Sequence, residues 1–226
     1  MYCQYCGATL APGNRFCTSC GRQQPDVVQA VTGFQPPATQ EAEIGRWLSA
    51  GWQVVTDEWL MFALVTIVFL VVSGAVPLIL QGPMLIGLHA VCARKLLGGR
   101  LDFNDLFKGF NYFVPSLIAS LLIALFVTIG FALCIVPGFV VLAMYQFTYL
   151  FIADKKMDFW PAMQASHALV KQDYFGFTMF VIVSTLVNLL GALACGIGLL
   201  ITIPMTFAAI PAAYRDMVGF ESGGSM

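Results

Sequence analysis

Charge is what this chain has least of. Asp, Glu, Lys and Arg make up 10% of it, against about 25% in soluble domains. Three stretches, Trp59–Ala93, Tyr112–Ala153 and Tyr174–Tyr214, contain none of the four. With 59% hydrophobic residues, a chain of this length has too little polar surface to cover a soluble core, so the expected solvent for most of it is lipid. Histidine is scarce as well, at two residues. There is no Ser-His-Asp arrangement, no phosphate-binding loop, no His-rich metal motif and no carboxylate inside the apolar runs. The expectation is therefore no catalytic residue and no enzyme, and a proton-coupled pump is disfavoured. The Met1-Tyr2-Cys3 start has no basic segment leading into an apolar one, so no cleavable signal peptide is expected. Insertion falls to the first apolar run. The net charge of −1 argues for no particular ionic partner.

What is present is length in those runs. One bilayer crossing takes about 20 apolar residues, and each run is about right for two. Each also has a Gly/Pro-containing middle: Ser73 to Pro77, Gly130 to Gly138, and Gly191 to Gly198. The predicted fold class is an all-α polytopic membrane protein, with six transmembrane helices as three hairpins over residues 57–218, joined by interfacial helices. Hairpins put every charged segment on one side. All eleven Lys and Arg lie there, and the positive-inside rule assigns that side to the cytoplasm. The expectation is a multi-pass protein of the bacterial inner membrane with both termini cytoplasmic, including the tail 219–226.

The seven cysteines divide in two. Cys92, Cys134 and Cys195 lie in or beside the apolar runs, where free Cys packs as a small hydrophobe. Cys3, Cys6, Cys17 and Cys20 form C-x2-C-x10-C-x2-C within residues 1–23. Two residues between thiolates let a tight turn aim both sulfurs at one ion, and Gly7 and Gly21 follow each pair where such a knuckle needs positive φ. Four thiolates suit tetrahedral Zn²⁺. The predicted metal ligands are Cys3, Cys6, Cys17 and Cys20, holding structural zinc with no open position for catalysis. Disulfides or a redox centre are the rival readings, but a redox CxxC needs a surrounding fold that 22 residues cannot supply. The segment resembles the small N-terminal zinc ribbons fused to many prokaryotic membrane proteins. Arg15 and Arg22 are its only charges, a thin footprint for nucleic acid, so a protein-contact role is expected of it.

Residues 24–40, rich in Gln, Pro, Thr and Ala, read as a flexible linker. In residues 41–56, Ile44, Trp47, Leu48, Gly51, Trp52 and Val55 recur at spacings of three and four. This predicts an amphipathic juxtamembrane helix lying on the membrane, with a soluble helix docked on the membrane domain's own loops as the alternative.

The chain also repeats. Leu101-Asp102-Phe103 and Met157-Asp158-Phe159 each follow basic residues and precede a short amphipathic segment. Asp102 and Asp158 are expected to cap those segments, with Phe103, Leu106, Phe107 and Phe110, and Phe159, Trp160, Met163 and Val170, facing lipid. Further stretches complete the pattern: Val136-Pro137-Gly138, Ala162 to Lys171, Gly196-Ile197-Gly198, Pro204, and Ala212-Ala213-Tyr214-Arg215-Asp216. Together they resemble a six-helix membrane domain of many bacterial proteins, similar to the one attached to some glycerophosphoryl diester phosphodiesterases. The resemblance implies a fold over about residues 55–218. It carries over no catalytic residue.

Polar side chains at membrane depth are functional suspects. His89 and Gln146 hold nearly matching positions ahead of Asp102 and Asp158, and Asn188 lies mid-run in the third hairpin beside Ser184 and Thr185. They form a candidate intramembrane polar site, or else bond between helices. Three functions follow as expectations: a non-enzymatic membrane protein whose cytoplasmic ribbon contacts a partner protein, a transporter or lipid-handling protein using a cavity between hairpins, and an accessory subunit of a separate membrane enzyme.

Overall fold

A computed structural model describes residues 34, 41–77, 79–193 and 198–220. Cys3, Cys6, Cys17 and Cys20, expected as metal ligands, nearly all of the linker, Cys195 and residues 221–226 fall outside them. The described residues are helical, with no strand among them. In chain order the helices are α1 (Ile44–Asp57), α2 (Trp59–Ala75), α3 (Gln81–Leu96), α4 (Asp105–Lys108), a 3₁₀ turn (Gly109–Tyr112), α5 (Phe113–Leu133), α6 (Ile135–Tyr145), α7 (Thr148–Asp154), α8 (Phe159–Val170), α9 (Tyr174–Leu193) and α10 (Leu199–Met217).

Three segments are long and apolar enough to span a membrane: Asp105–Leu133, Ile135–Asp154 and Tyr174–Leu193. The pair Ile44–Asp57 and Trp59–Ala75 is bent by 101° and would make a fourth only if counted as one broken span. Their outward faces carry Leu64, Val71, Leu125, Leu133, Leu189 and Leu193, all exposed. So much exposed hydrophobic surface fits contact with lipid and not with water.

The first apolar run departs from a simple hairpin. Its second helix, α3, is buried from Gly82 to Ala93 and packs against α2, α4, α5, α7 and α10. At about 1.5 Å per residue its 16 residues reach about 24 Å, short of the roughly 30 Å hydrocarbon core. It is the centre of the bundle. Small residues make that possible. A Cβ on Gly87 would collide with the Leu106 carbonyl, and one on Gly109 with the Pro83 carbonyl. Backbone thus meets backbone where α4 and the 3₁₀ turn fold over α3. Pro83 and Pro137 each stand third in their helix, where a missing N–H breaks no intrahelical bond.

Several expected orientations are corrected by this packing. Leu106, Met163 and Val170 are buried against protein instead of facing lipid, whereas Phe107 and Trp160 remain exposed. The Asp102 carboxylate accepts the Asn104 N–H at 2.9 Å, three residues ahead of Asp105, so it closes the turn before α4 and does not cap the helix itself. Asp158 occupies the N-cap position of α8 without a side-chain capping bond. Cys92 is buried as expected, but Cys134 is exposed at the α5–α6 junction.

The apolar face of α1 meets protein. Trp47 is buried between Phe177 (ring centroids 5.8 Å apart, stacked) and Phe180 (5.5 Å, edge-on) of α9. Gly51 lies so close to α10 that a Cβ there would strike the Met205 carbonyl. The apolar face expected on the membrane surface is instead packed on the helices α9 and α10, and not on loops, through aromatic and small-residue contacts. Trp52 alone of that face stays exposed.

Ion pairs collect the helix ends. Lys95 Nζ reaches Glu58 Oε1 at 2.7 Å, tying the end of α3 to the start of α2. Arg215 donates to the Leu96 carbonyl at 3.4 Å, and the buried Tyr214 hydroxyl donates to Asp154 Oδ2 at 3.1 Å. Arg46 of α1 meets Asp216 at 3.4 Å. Asp105, buried, receives both Arg94 and Lys108 at 2.8 Å. The start of α2 and the ends of α3, α7 and α10 therefore share one polar end of the bundle.

Candidate functional site

Five helices close into a ring. α3 packs on α5, α5 on α6, α6 on α9, α9 on α10, and α10 back on α3, while no pair across the ring packs extensively. The ring encloses a cleft of about 290 Å³. His89, Gln146 and Asn188 all line it, together with Ser184 and Thr185. The polar side chains singled out along the sequence on three separate runs are thus brought to one place. Thr185 and Gln81 are exposed at its margin, so the cleft opens at the bundle surface.

Each polar group is held differently. His89 projects from the central helix, 2% exposed, with its ring 5.8 Å from that of Phe207. Neither ring nitrogen has a hydrogen-bond partner in the protein. Gln146 sits where the helix breaks between α6 and α7, and its amide oxygen and nitrogen are both buried and unpaired. The break itself is satisfied from outside. Ser166 of α8 donates to the Met144 carbonyl at 2.7 Å and accepts the Phe147 N–H at 3.2 Å. One hydroxyl thus covers an acceptor and a donor freed by the interruption, as buried backbone requires.

Asn188 is anchored on one side only. Its Nδ2 donates to the Ser184 carbonyl and to Thr206 Oγ1, each at 3.0 Å. A carbonyl can only accept, so the atom facing it must be the nitrogen. That leaves Oδ1 as a buried, unpaired acceptor. The expectation of interhelical bonding therefore holds for Asn188 with Thr206, but His89 and Gln146 show no such partner. Ser184 adds another buried hydroxyl without a partner. Apolar walls come from Leu85, Ile123, Leu142 and Phe207.

Sequence reasoning missed Thr206, Tyr145 and Tyr149 as lining residues, and it missed the Ser166 bridge. Thr206 and Ser166 are ordinary small polar residues in sequence. Only the approach of α10 and α8 gives them roles. His167 pairs with the Tyr174 hydroxyl at 2.6 Å.

The lining contains no Asp, Glu, Lys or Arg. Among the described residues no group of three or more His, Cys, Asp or Glu is placed to hold a metal ion. The metal ligands expected from sequence, Cys3, Cys6, Cys17 and Cys20, lie outside the described residues. Four thiolates in two pairs are a donor set that fits Zn²⁺, and bound there it would supply the fold of the segment. No curated protein and no solved structure matches the chain. Residues 2–23 do match the zinc-ribbon domain family, and the chain accordingly carries a zinc ribbon at its N-terminus, followed by a helical bundle with apolar, membrane-compatible helices.

Proposed function

We propose that this is a non-enzymatic, multi-pass membrane protein that takes a small membrane-borne molecule into the cleft between its helices, as a carrier or lipid-handling protein. The observation that carries this reading is the ring of five helices around a cleft in which His89, Gln146 and Asn188 present unpaired polar atoms. A bundle built for packing alone would pair such groups, since each unpaired one costs about 1–3 kcal/mol. Near-apolar walls with a few convergent polar groups are the usual make-up of a ligand site.

In this reading α2, α3, α5, α6 with α7, α9 and α10 are six membrane segments in three hairpins, with α3 reaching through only part of the hydrocarbon core. The sequence resemblance to the six-helix membrane domain and the shared polar end of the bundle support that count. The polar end is cytoplasmic by the positive-inside rule, as are both termini, in a bacterial inner membrane. The test is extraction into native nanodiscs with lipid and small-molecule mass spectrometry. A co-purifying molecule depleted by Gln146→Leu is expected. An identical profile for the variant and the parent would remove the reading.

A second role belongs to the ribbon. Zinc held by four cysteines leaves no open coordination position, and a metal module of that kind favours protein contact or regulation. A partner captured equally well after Cys17→Ser and Cys20→Ser would count against it.

A further inference from the structure

We infer that the cleft selects an uncharged amphiphile, with a hydroxyl or primary-amide head and a short aliphatic body. The inference rests on the cleft being a binding site and names what it binds. Three observations carry it. First, no ionic side chain lines the cleft. A charged head would be desolvated without a counter-ion, at a cost no neutral dipole offsets. Second, the unpaired groups supply both senses of hydrogen bond. Asn188 Oδ1 can only accept, because its nitrogen is committed to Ser184 and Thr206. The Gln146 amide both donates and accepts, and so does a neutral His89 ring. A head that is donor and acceptor at once satisfies this set, whereas an ether or a bare hydrocarbon leaves part of it orphaned. Third, at about 30 Å³ per water-sized group, 290 Å³ holds about ten non-hydrogen atoms. Leu85, Ile123, Leu142 and Phe207 are among the lining residues, and their apolar side chains suit an aliphatic segment.

The break at Gln146 fits the same role. An intact helix would bury its backbone groups in its own ladder. Here Ser166 holds the interrupted turn from behind, which frees the Gln146 side chain to face the cleft. Ser166 is a positioning residue for that amide.

The experiment uses the full chain in lipid nanodiscs and a diazirine-bearing aliphatic alcohol of about nine non-hydrogen atoms, a size set by the cleft, with crosslinks mapped by mass spectrometry. Competitors are 1-octanol, octanamide, octanoate and octylammonium. Labelling is expected on α3, α9 and α10 at cleft positions, competed by the alcohol and the amide at concentrations at least about tenfold lower than by either ion. Gln146→Leu and Asn188→Leu are each expected to weaken the alcohol about fivefold, the loss of one neutral hydrogen bond. Unfolding curves identify a variant that fails to fold, and either variant suffices. Equal competition by all four compounds overturns the neutral selectivity while leaving the binding site standing. Labelling confined to lipid-facing positions overturns both. Neutral selectivity with unchanged affinity in a folded Gln146→Leu overturns the assigned role of the amide.

Discussion

The Ser166 hydroxyl donates to the Met144 carbonyl at 2.7 Å, binding the interfacial helix α8 to the last turn of α6 across the point where that helix breaks. The same oxygen accepts the Phe147 N–H. Ser166→Ala orphans a part-buried carbonyl and a buried amide together. We expect it to lower unfolding free energy by about 2–4 kcal/mol, from about 1–2 for each group. Denaturant unfolding in detergent is the measurement, and a change below about 0.5 kcal/mol would show that the break is satisfied otherwise.

Asp105 and Asp102 provide an internal contrast. Asp105 is buried and meets Arg94 and Lys108 at 2.8 Å, whereas Asp102 is exposed and lies 3.9 Å from Arg94. Removing one partner of a buried pair costs about 3–5 kcal/mol, and removing one of an exposed pair costs about 0–1. Asp105→Asn should therefore destabilise the protein by about 3 kcal/mol and Asp102→Asn by less than about 1 kcal/mol in the same unfolding assay. Equal effects would contradict the placement of Asp105 under the fold of α4.

Docking of α1 is tested at Trp47. Its indole is buried between Phe177 and Phe180, and truncating a buried aromatic costs about 3–5 kcal/mol. Trp47→Ala should release α1, seen as faster amide exchange across Ile44–Asp57 with little change in α3. Gly51→Val should do the same by pushing against the Met205 carbonyl. Unchanged exchange in both variants would place the stability of α1 elsewhere.

The ribbon and the bundle should separate under chelation. Because the zinc site is the core of so small a segment, metal removal and unfolding are one event there. The parent protein should carry a single zinc by elemental analysis. Cys17→Ser with Cys20→Ser should abolish it while helical content from residue 41 onward is kept. Loss of the helical signal with the metal would show that the two are one folding unit.

How much of this was legible in sequence follows from which signals are local. The charge-free runs, their turn residues and the C-x2-C pairs are readable because each is a property of consecutive residues. His89 and Gln146 were legible as a pair because they recur at similar distances before the two Asp-Phe segments. The orientation of Leu106, Met163 and Val170 was not, because in lipid an apolar side chain is equally at home facing outward or inward. Hydrophobicity therefore stops distinguishing the two faces. The burial of α3 was hidden for a related reason: Gly82, Gly87 and Gly109 look like turn residues until another backbone is laid across them. The break at Gln146 has no Pro or Gly at its site. It exists because Ser166, twenty positions on, satisfies it.

The most direct test of the account is an experimental density map of the full chain in a lipid nanodisc, read at the cleft ringed by α3, α5, α6, α9 and α10. The account predicts an elongated feature within hydrogen-bonding distance of His89, Gln146 or Asn188, its body against Leu85 and Phe207, with Ser166 still bridging Met144 and Phe147. A collapsed ring with His89 and Gln146 bonded directly to protein groups would contradict it.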